Sequence, residues 1–357
     1  MSVVPSDLDG KVPRRDTVLF CRQLVALLKS GTPLLRALIV LQDQPECEIL
    51  GAIVSELVHL VETGNSLSRG LKRFPQVFSP IFVTMVEIGE NSGQLDRSLE
   101  RLAGWLEADL GTYQRVRSAL SYPIFIALLT FALTMILFTG VMPAFFGLFA
   151  DMGSELPLIT RIVLMITAAA RNPMCWLTAG LLAWGGSKLI RARWAQPQGA
   201  AQIYSLLLQL PAVGGLLYHG SCSRYAASMG TMLQEGLPMP KAYELASLAS
   251  GNPLLAEDAR NLVAALNEGV SPARYMRLKP EIYSKLMAQM LQVGEESARL
   301  PTMFESAATF HRAEMETRVE MLGAALEPLM MGCVSMVVGT IIFATFLPLY
   351  GFLAKLT

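Results

Sequence analysis

Gly89-Glu90-Asn91-Ser92-Gly93-Gln94-Leu95 returns 205 residues later as Gly294-Glu295-Glu296-Ser297-Ala298-Arg299-Leu300, with no gap. The same offset relates Gly31, Pro33, Gly64, Ser66 and Pro75 to Gly236, Pro238, Gly269, Ser271 and Pro280. It carries on into apolar sequence, where Pro123 and Pro143 recur as Pro328 and Pro348. Glycine and proline set turns and helix ends. So many of them held in step mean one fold built twice, each copy joining a soluble half to a membrane anchor.

Composition supports the anchor. The 357 residues are 52% hydrophobic and only 16% charged, too apolar for an ordinary soluble protein. The 33 residues 118 to 150 and the 27 residues 328 to 354 carry no charge. Either stretch crosses a hydrocarbon layer that takes about 20 helical residues. A third uncharged stretch, Asn172 to Ser187, has 16 residues, with Arg171 and Lys188 placed to snorkel from its ends. Three spanning helices are expected.

Orientation follows from the basic flanks. Arg115 and Arg117 precede the first span, Arg191 and Arg193 follow the second, and Arg318 precedes the third. The opening residues have no apolar core and do not read as a signal peptide. By the positive-inside rule the N-terminus and both soluble halves lie in the cytoplasm, with the C-terminus outside. Arg161 and Arg171 run against the rule, and an interfacial amphipathic helix from about 158 to 170 accommodates them. The expected order is a short tail (1–15), a first bundle (16–118), a span (119–149), a periplasmic loop (150–171) and a second span (172–190). A second bundle (191–325), a third span (326–353) and a periplasmic terminus (354–357) follow.

Each soluble half reads as all-helical, with about six short helices and no alternating strand pattern. Phe20, Leu24, Leu27 and Leu28 fall at helical spacing, and Gly31 then ends that helix. Pro33 suits the first turn of the next helix. Gly64 is a stop followed by Ser66 as an N-cap, and Ser79-Pro80 repeats the cap-plus-proline device. Residues 89–93 read as a tight connection, and Leu95, Leu99, Leu102 and Leu106 as the stripe of a final helix that runs on toward the membrane. The fold class expected is therefore all-α and polytopic, with two homologous six-helix cytoplasmic bundles and three transmembrane helices.

The segments Phe20-x-x-x-Leu24 to Ser30-Gly31-x-Pro33, Gly64-x-Ser66-Leu67, Gly89-Glu90-x-Ser92-Gly93-x-Leu95 and Ser121-Tyr122-Pro123-Ile124-Phe125 resemble a known family. It is the inner-membrane platform family of type II secretion systems and type IV pili, the GspF/PilC type, and the resemblance covers residues 15 to 353. It implies a protein of the bacterial inner membrane with no catalysis of its own. Such a platform couples a hexameric cytoplasmic ATPase to insertion or removal of pilin or pseudopilin subunits. The partners implied are that ATPase, pilin transmembrane helices, other inner-membrane assembly proteins and further copies of the chain. Departures from the pattern are Ala298 in place of Gly93 and Glu327 in place of Tyr122. Whether a pilus, a secretion pseudopilus or a competence or conjugation system is served stays open, as does stoichiometry.

Candidate residues carry two readings each. Glu90 and Glu295 are carboxylates in repeated turns. Capping the following helix or satisfying loop amides is the favoured role. The alternative, which the resemblance brings, is calcium at Glu90, although the turn lacks the dense oxygen ligands of a dedicated calcium loop. Pro123, Pro143, Pro328 and Pro348 start, end or kink the spans, or act as hinges. Glu327 sits at the mouth of a span, where a solvated carboxylate is favoured over a functional one. Arg36 and Arg69, which recur as Lys241 and Arg274, are candidate ATPase contacts on otherwise solvated faces. His59, His219 and His311 share no motif and read as surface or packing residues. Five scattered cysteines form no metal or disulfide pattern.

Several functions are excluded outright. A net charge of zero implies no nucleic-acid partner. No phosphate-binding loop or hydrolase motif is present, so ATP is not hydrolysed here and no cofactor is expected. A permease or channel subunit with regulatory bundles is the alternative class. Three spans without a midplane charge or broken-helix pair speak against it.

Overall fold

The computed structural model describes residues 12–43, 47–141, 172–211 and 213–356, with Arg161, Ile162, Met165, Thr167 and Ala168 as isolated helical positions. The expected interfacial helix at 158–170 and Pro143 thus fall largely or wholly outside the described residues. The first half folds as α1 (Arg14–Lys29), α2 (Leu34–Asp43), α3 (Glu48–Glu62), α4 (Leu67–Leu71), α5 (Pro80–Ser92) and α6 (Leu95–Ile136). A π-helical turn, Leu137–Val141, follows α6. Then come α7 (Pro173–Trp194) and α8 (Pro197–Leu208). The second half repeats the plan as α9 (Gly214–Gln234), α10 (Met239–Ala249), α11 (Pro253–Asn267), α12 (Pro272–Arg277), α13 (Lys285–Ser297) and α14 (Leu300–Leu356). The protein is all-helical among the described residues.

Two compact units emerge. One joins Met1–Arg115 to Ala201–Thr317 and holds both bundles. The other joins Val116–Ala200 to Arg318–Thr357.

Serine N-caps recur in register and set the helix starts. Ser66 and Ser271 accept from the amides of Arg69 and Arg274 at 3.3 Å each. Ser79 and Ser284 do the same for Phe82 and Met287 at 3.4 and 3.3 Å. Each supplies an acceptor to an amide that the first helical turn leaves unpaired. Gly31, Gly64, Gly236 and Gly269 all hold positive φ just past a helix end. Pro33 and Pro238 then stand immediately before α2 and α10.

Residues 89–93 differ from the tight connection expected. Gly89 to Ser92 are the last turn of α5, and only Gly93 and Gln94 link α5 to α6. The glycine is there for space: a Cβ on Gly89 would stand 2.9 Å from Leu95 Cα and 3.0 Å from Ser98 Cβ. At Gly294 the same approach brings Leu300 Cα to 3.2 Å of a built Cβ. At the link itself, Gly93 has φ 69° and ψ 14°. Ala298 holds the same left-handed conformation at φ 55°, and is the sole non-glycine with positive φ among the described residues.

In the second unit, α6 and α14 are long and apolar enough to cross a membrane, and their apolar windows are only 6% buried. That exposure decides against their being core helices of a soluble protein. Pro123 and Pro328 do not start spanning helices, as one reading of the sequence had it. They lie inside α6 and α14, which run through them unbroken, and Pro348 also lies within α14. A helix already formed by the preceding turns tolerates the missing N–H where lipid and neighbouring groups let it adjust. The shorter α7 packs on α6 through an edge-on contact of Phe131 with Trp176, centroids 6.2 Å apart.

Two substitutions test the link. Gly89→Ala forces α5 and α6 apart and is expected to destabilise the first bundle by about 1–3 kcal/mol. Ala298→Gly relieves a left-handed alanine and should stabilise the second by up to about 1 kcal/mol. Thermal unfolding of the detergent-solubilised protein reads both; equal effects of the same sign would show that neither position is under the stated constraint.

Candidate functional site

The repeated Glu and Gly-x-Ser segments meet in space. Glu90, near the end of α5, accepts from the backbone amides of Leu67 and Ser68 through its two oxygens, at 2.5 and 3.1 Å. In the second copy Glu295 accepts from the Ala273 amide at 3.1 Å and from the Ser271 hydroxyl at 2.6 Å. A five- or six-residue helix cannot hold itself together, because nucleation costs more than so few bonds return. The carboxylate supplies the acceptors its first turn lacks and complements its dipole, so the helix it caps is the earlier α4 or α12 and not the following helix expected. At Glu90 a calcium ion would find one carboxylate whose oxygens are already engaged, against the six to eight oxygen ligands it takes. Among the described residues no three His, Cys, Asp or Glu side chains gather as a metal site. The donor set does not fit the ion.

The two bundle cores are not equivalent. The first is packed with hydrocarbon: Phe20, Leu38, Ile53 and Phe78 are each no more than 3% exposed. At the offset of 205 these positions become Tyr225, Tyr243, Asp258 and Tyr283, all equally buried. Asp258 accepts from the hydroxyls of Tyr275 and Tyr283, both at 3.0 Å, and forms an ion pair with Lys279. Burial alone would lower the pKa of Lys279, but its bonds to Asp258 and Tyr275 hold it above the ordinary value. Burial likewise drives the Tyr225, Tyr243 and Tyr283 phenols well above theirs, so all three stay neutral. Among the described residues, the buried hydroxyls of Tyr225 and Tyr243 have no hydrogen-bond partner.

Two of the three histidines, read from the sequence as surface or packing residues, come together. His219 Nδ1 and His311 Nδ1 lie 2.9 Å apart on α9 and α14, with His311 only 1% exposed. Burial, and then the charge of its neighbour, push His311 down to about 4. No sequence spacing announces this pair, because 92 residues separate its members.

A polar seam joins the bundles. Glu235, the residue that closes α9, takes a hydrogen bond from Ser98 of α6 at 2.6 Å. The Arg101 guanidinium lies 2.7 Å from its other oxygen. Its side chain is 8% exposed, and the equivalent residue in the first copy is Ser30, so the seam is built on one side only. Further along α6, Arg115 pairs with Glu316 of α14 at 2.5 Å. The candidate ATPase contacts Arg36, Arg69, Lys241 and Arg274 are all exposed. Arg69 leans back on Asn65 at 3.4 Å and Lys241 on Glu244 at 3.1 Å.

In the second unit, α6 and α14 form one cleft at the level of Pro123. Tyr122, Pro123 and Ile126 of α6 line it, and Leu326, Glu327, Met330 and Met331 of α14 face them, around about 310 Å³. The cleft thus holds both members of the Tyr122/Glu327 departure, with Pro123 beside them.

The sequence signature described as "Type II secretion system (T2SS), protein F" matches residues 20–143 and again 225–348, in the register of the internal repeat. The chain belongs to this family. It is 31% identical over 348 residues to the type IV pilus assembly protein PilC of Thermus thermophilus, covering 96% of this chain and 84% of that protein. It is 28% identical to the PilC of Pseudomonas aeruginosa, covering 95% and 90%. With the type II secretion system protein F of Xanthomonas campestris it shares 29% identity over 93% of this chain and 82% of that one. Membership makes this a membrane-embedded, non-enzymatic platform protein of the pilus and secretion class. Its partners accordingly belong to that machinery.

Within the bundles, Asp258→Ala strands Lys279 and two phenols, and the expected loss is about 3 kcal/mol. Copying the first core, by Tyr225→Phe, Asp258→Ile, Lys279→Phe and Tyr283→Phe together, should cost far less, as a thermal melt would show. For His311, the lowered folded pKa means that the unfolded chain binds the proton more readily. Its contribution is complete above about 6.5, the ordinary histidine value, and is lost as pH falls toward 4. His311→Leu, which installs the residue found at position 106, should flatten the melting temperature between those values.

Proposed function

We propose that the two bundles face the cytoplasm and take up the motion of a hexameric ATPase. Three membrane helices (α6, α7 and α14) pass pilin or pseudopilin subunits into or out of a filament base. Carrying this reading is the continuity of α6 and α14. Each starts within a bundle, at Leu95 and Leu300, and continues without interruption through its proline into apolar sequence. At about 1.5 Å per residue, a helix of 42 residues reaches roughly 63 Å. That continuity gives a push on the soluble end a direct covalent route to the apolar sequence.

The basic flanks support the orientation. Arg191 and Arg193 close α7, and Arg115, Arg117 and Arg318 stand where α6 and α14 leave the bundles. Both halves then belong to the cytoplasm and the C-terminus to the periplasm. The exposed bases Arg36, Arg69, Lys241 and Arg274 are the proposed ATPase-facing positions, and the platform holds more than one copy of the chain.

Photoreactive residues at these four positions, in full-length protein in cells, test the assignment. Crosslinks to a cytoplasmic ATPase are expected from at least one site in each bundle, and charge reversal of Arg36 with Lys241 should suppress pilus assembly or secretion. If no ATPase is captured while both proteins are present, the coupling route is wrong. Solute flux through the purified protein in vesicles would instead favour a permease.

A further inference from the structure

The cleft between α6 and α14 has a chemistry of its own. Its lining residues are Tyr122, Pro123, Ile126, Leu326, Glu327, Met330, Met331, Val334 and Ser335. Hydrocarbon and thioether make up most of it, and the single charge is the Glu327 carboxylate. No lysine, arginine or histidine lines the cleft, and Glu327 forms no ion pair or hydrogen bond among the described residues. Among the described residues the lining thus carries one carboxylate and no basic side chain.

We propose that this cleft seats one edge of the apolar helix of a membrane-anchored subunit, and that the helix brings an amine or guanidinium at its cytoplasmic end to Glu327. The inference rests on the platform reading above and names what the platform grips. Charge complementarity selects the occupant. Glu327 stands one residue before the charge-free stretch that begins at Pro328, at the edge of the span. There an ion pair forms without the cost of the midplane. A volume of about 310 Å³ takes a ridge of a few side chains and not a whole helix. That suits a helix lying along the groove between two others. Met330 and Met331 are flexible and polarisable, a surface suited to successive partners that bind and leave. A second copy of this chain seated through its own α14 would meet carboxylate with carboxylate.

The test uses the full chain in its native membrane, with a photoreactive residue at Met331 and a control at Leu329, which is 62% exposed and does not line the cleft. The Met331 probe is expected to capture a small single-span subunit with a basic group at the cytoplasmic end of its helix, and the Leu329 probe is not. Glu327→Gln should lower the yield about tenfold while Glu327→Asp keeps most of it, as for the loss of a charge pair at an interface. Removing the subunit's own basic group should lower the yield equally. Capture of only a second copy of this chain, capture of lipid alone, or a yield unchanged by Glu327→Gln overturns the proposal. So does a captured helix with no basic group at that end, which keeps the test decisive even where Glu327→Gln fails to reach the membrane. Probes at Arg36 and Lys241 report separately on the ATPase, so their success beside failure at Met331 removes the cleft assignment and leaves the platform reading standing.

Discussion

A carboxylate on the last turn of one helix holds down the first turn of another, and each bundle depends on that bond. Glu90 over α4, and Glu295 over α12, keep helices of five and six residues folded that have no stability of their own. The preceding residue, Gly89 or Gly294, lets the next helix pass close against the same turn. Position and direction of α6 and α14 are therefore set within two residues, Gly-Glu, in each copy. Those two helices are the ones that continue into apolar sequence, so the same dipeptide fixes where each membrane rod begins.

The copies share a frame and differ in what fills it. In the first, hydrocarbon packs at every core position of the comparison. In the second, Asp258 collects two phenols and a lysine. A buried ion pair adds little net stability over a hydrophobic replacement, but removing one member is costly. Helix exchange between two homologous bundles would put Asp258 among the side chains around Phe20 and Phe78, or leave Lys279 opposite Ile53. The unlike cores penalise that error. The one-sided seam at Glu235 distinguishes the copies again, since Ser30 in the first copy supplies no carboxylate.

Much of the site was legible because its residues are of types that only backbone geometry demands. Gly31, Gly64, Ser66 and their copies mark helix ends, and the structure shows them at helix ends. Gly89 was legible as constrained but not as helical: a missing side chain looks the same in the sequence whether the turn needs freedom or the neighbour needs space. Likewise Ala298 shows that a left-handed position need not carry glycine. The His219–His311 pair and the Asp258 network were not legible, since no local rule links residues on separate helices.

The sequence by itself determined that this protein is a doubled, helical membrane protein with its apolar stretches following each copy of the soluble fold. Repeat register, helix caps and charge-free length are local properties, written in consecutive residues, and they need no folded partner to be read. Only the tertiary structure decided which helices Glu90 and Glu295 cap and that the second core is polar. It alone placed Tyr122, Pro123 and Glu327 around one cleft. Those facts depend on which helices touch, and contact between helices is settled by the packing of whole faces at once.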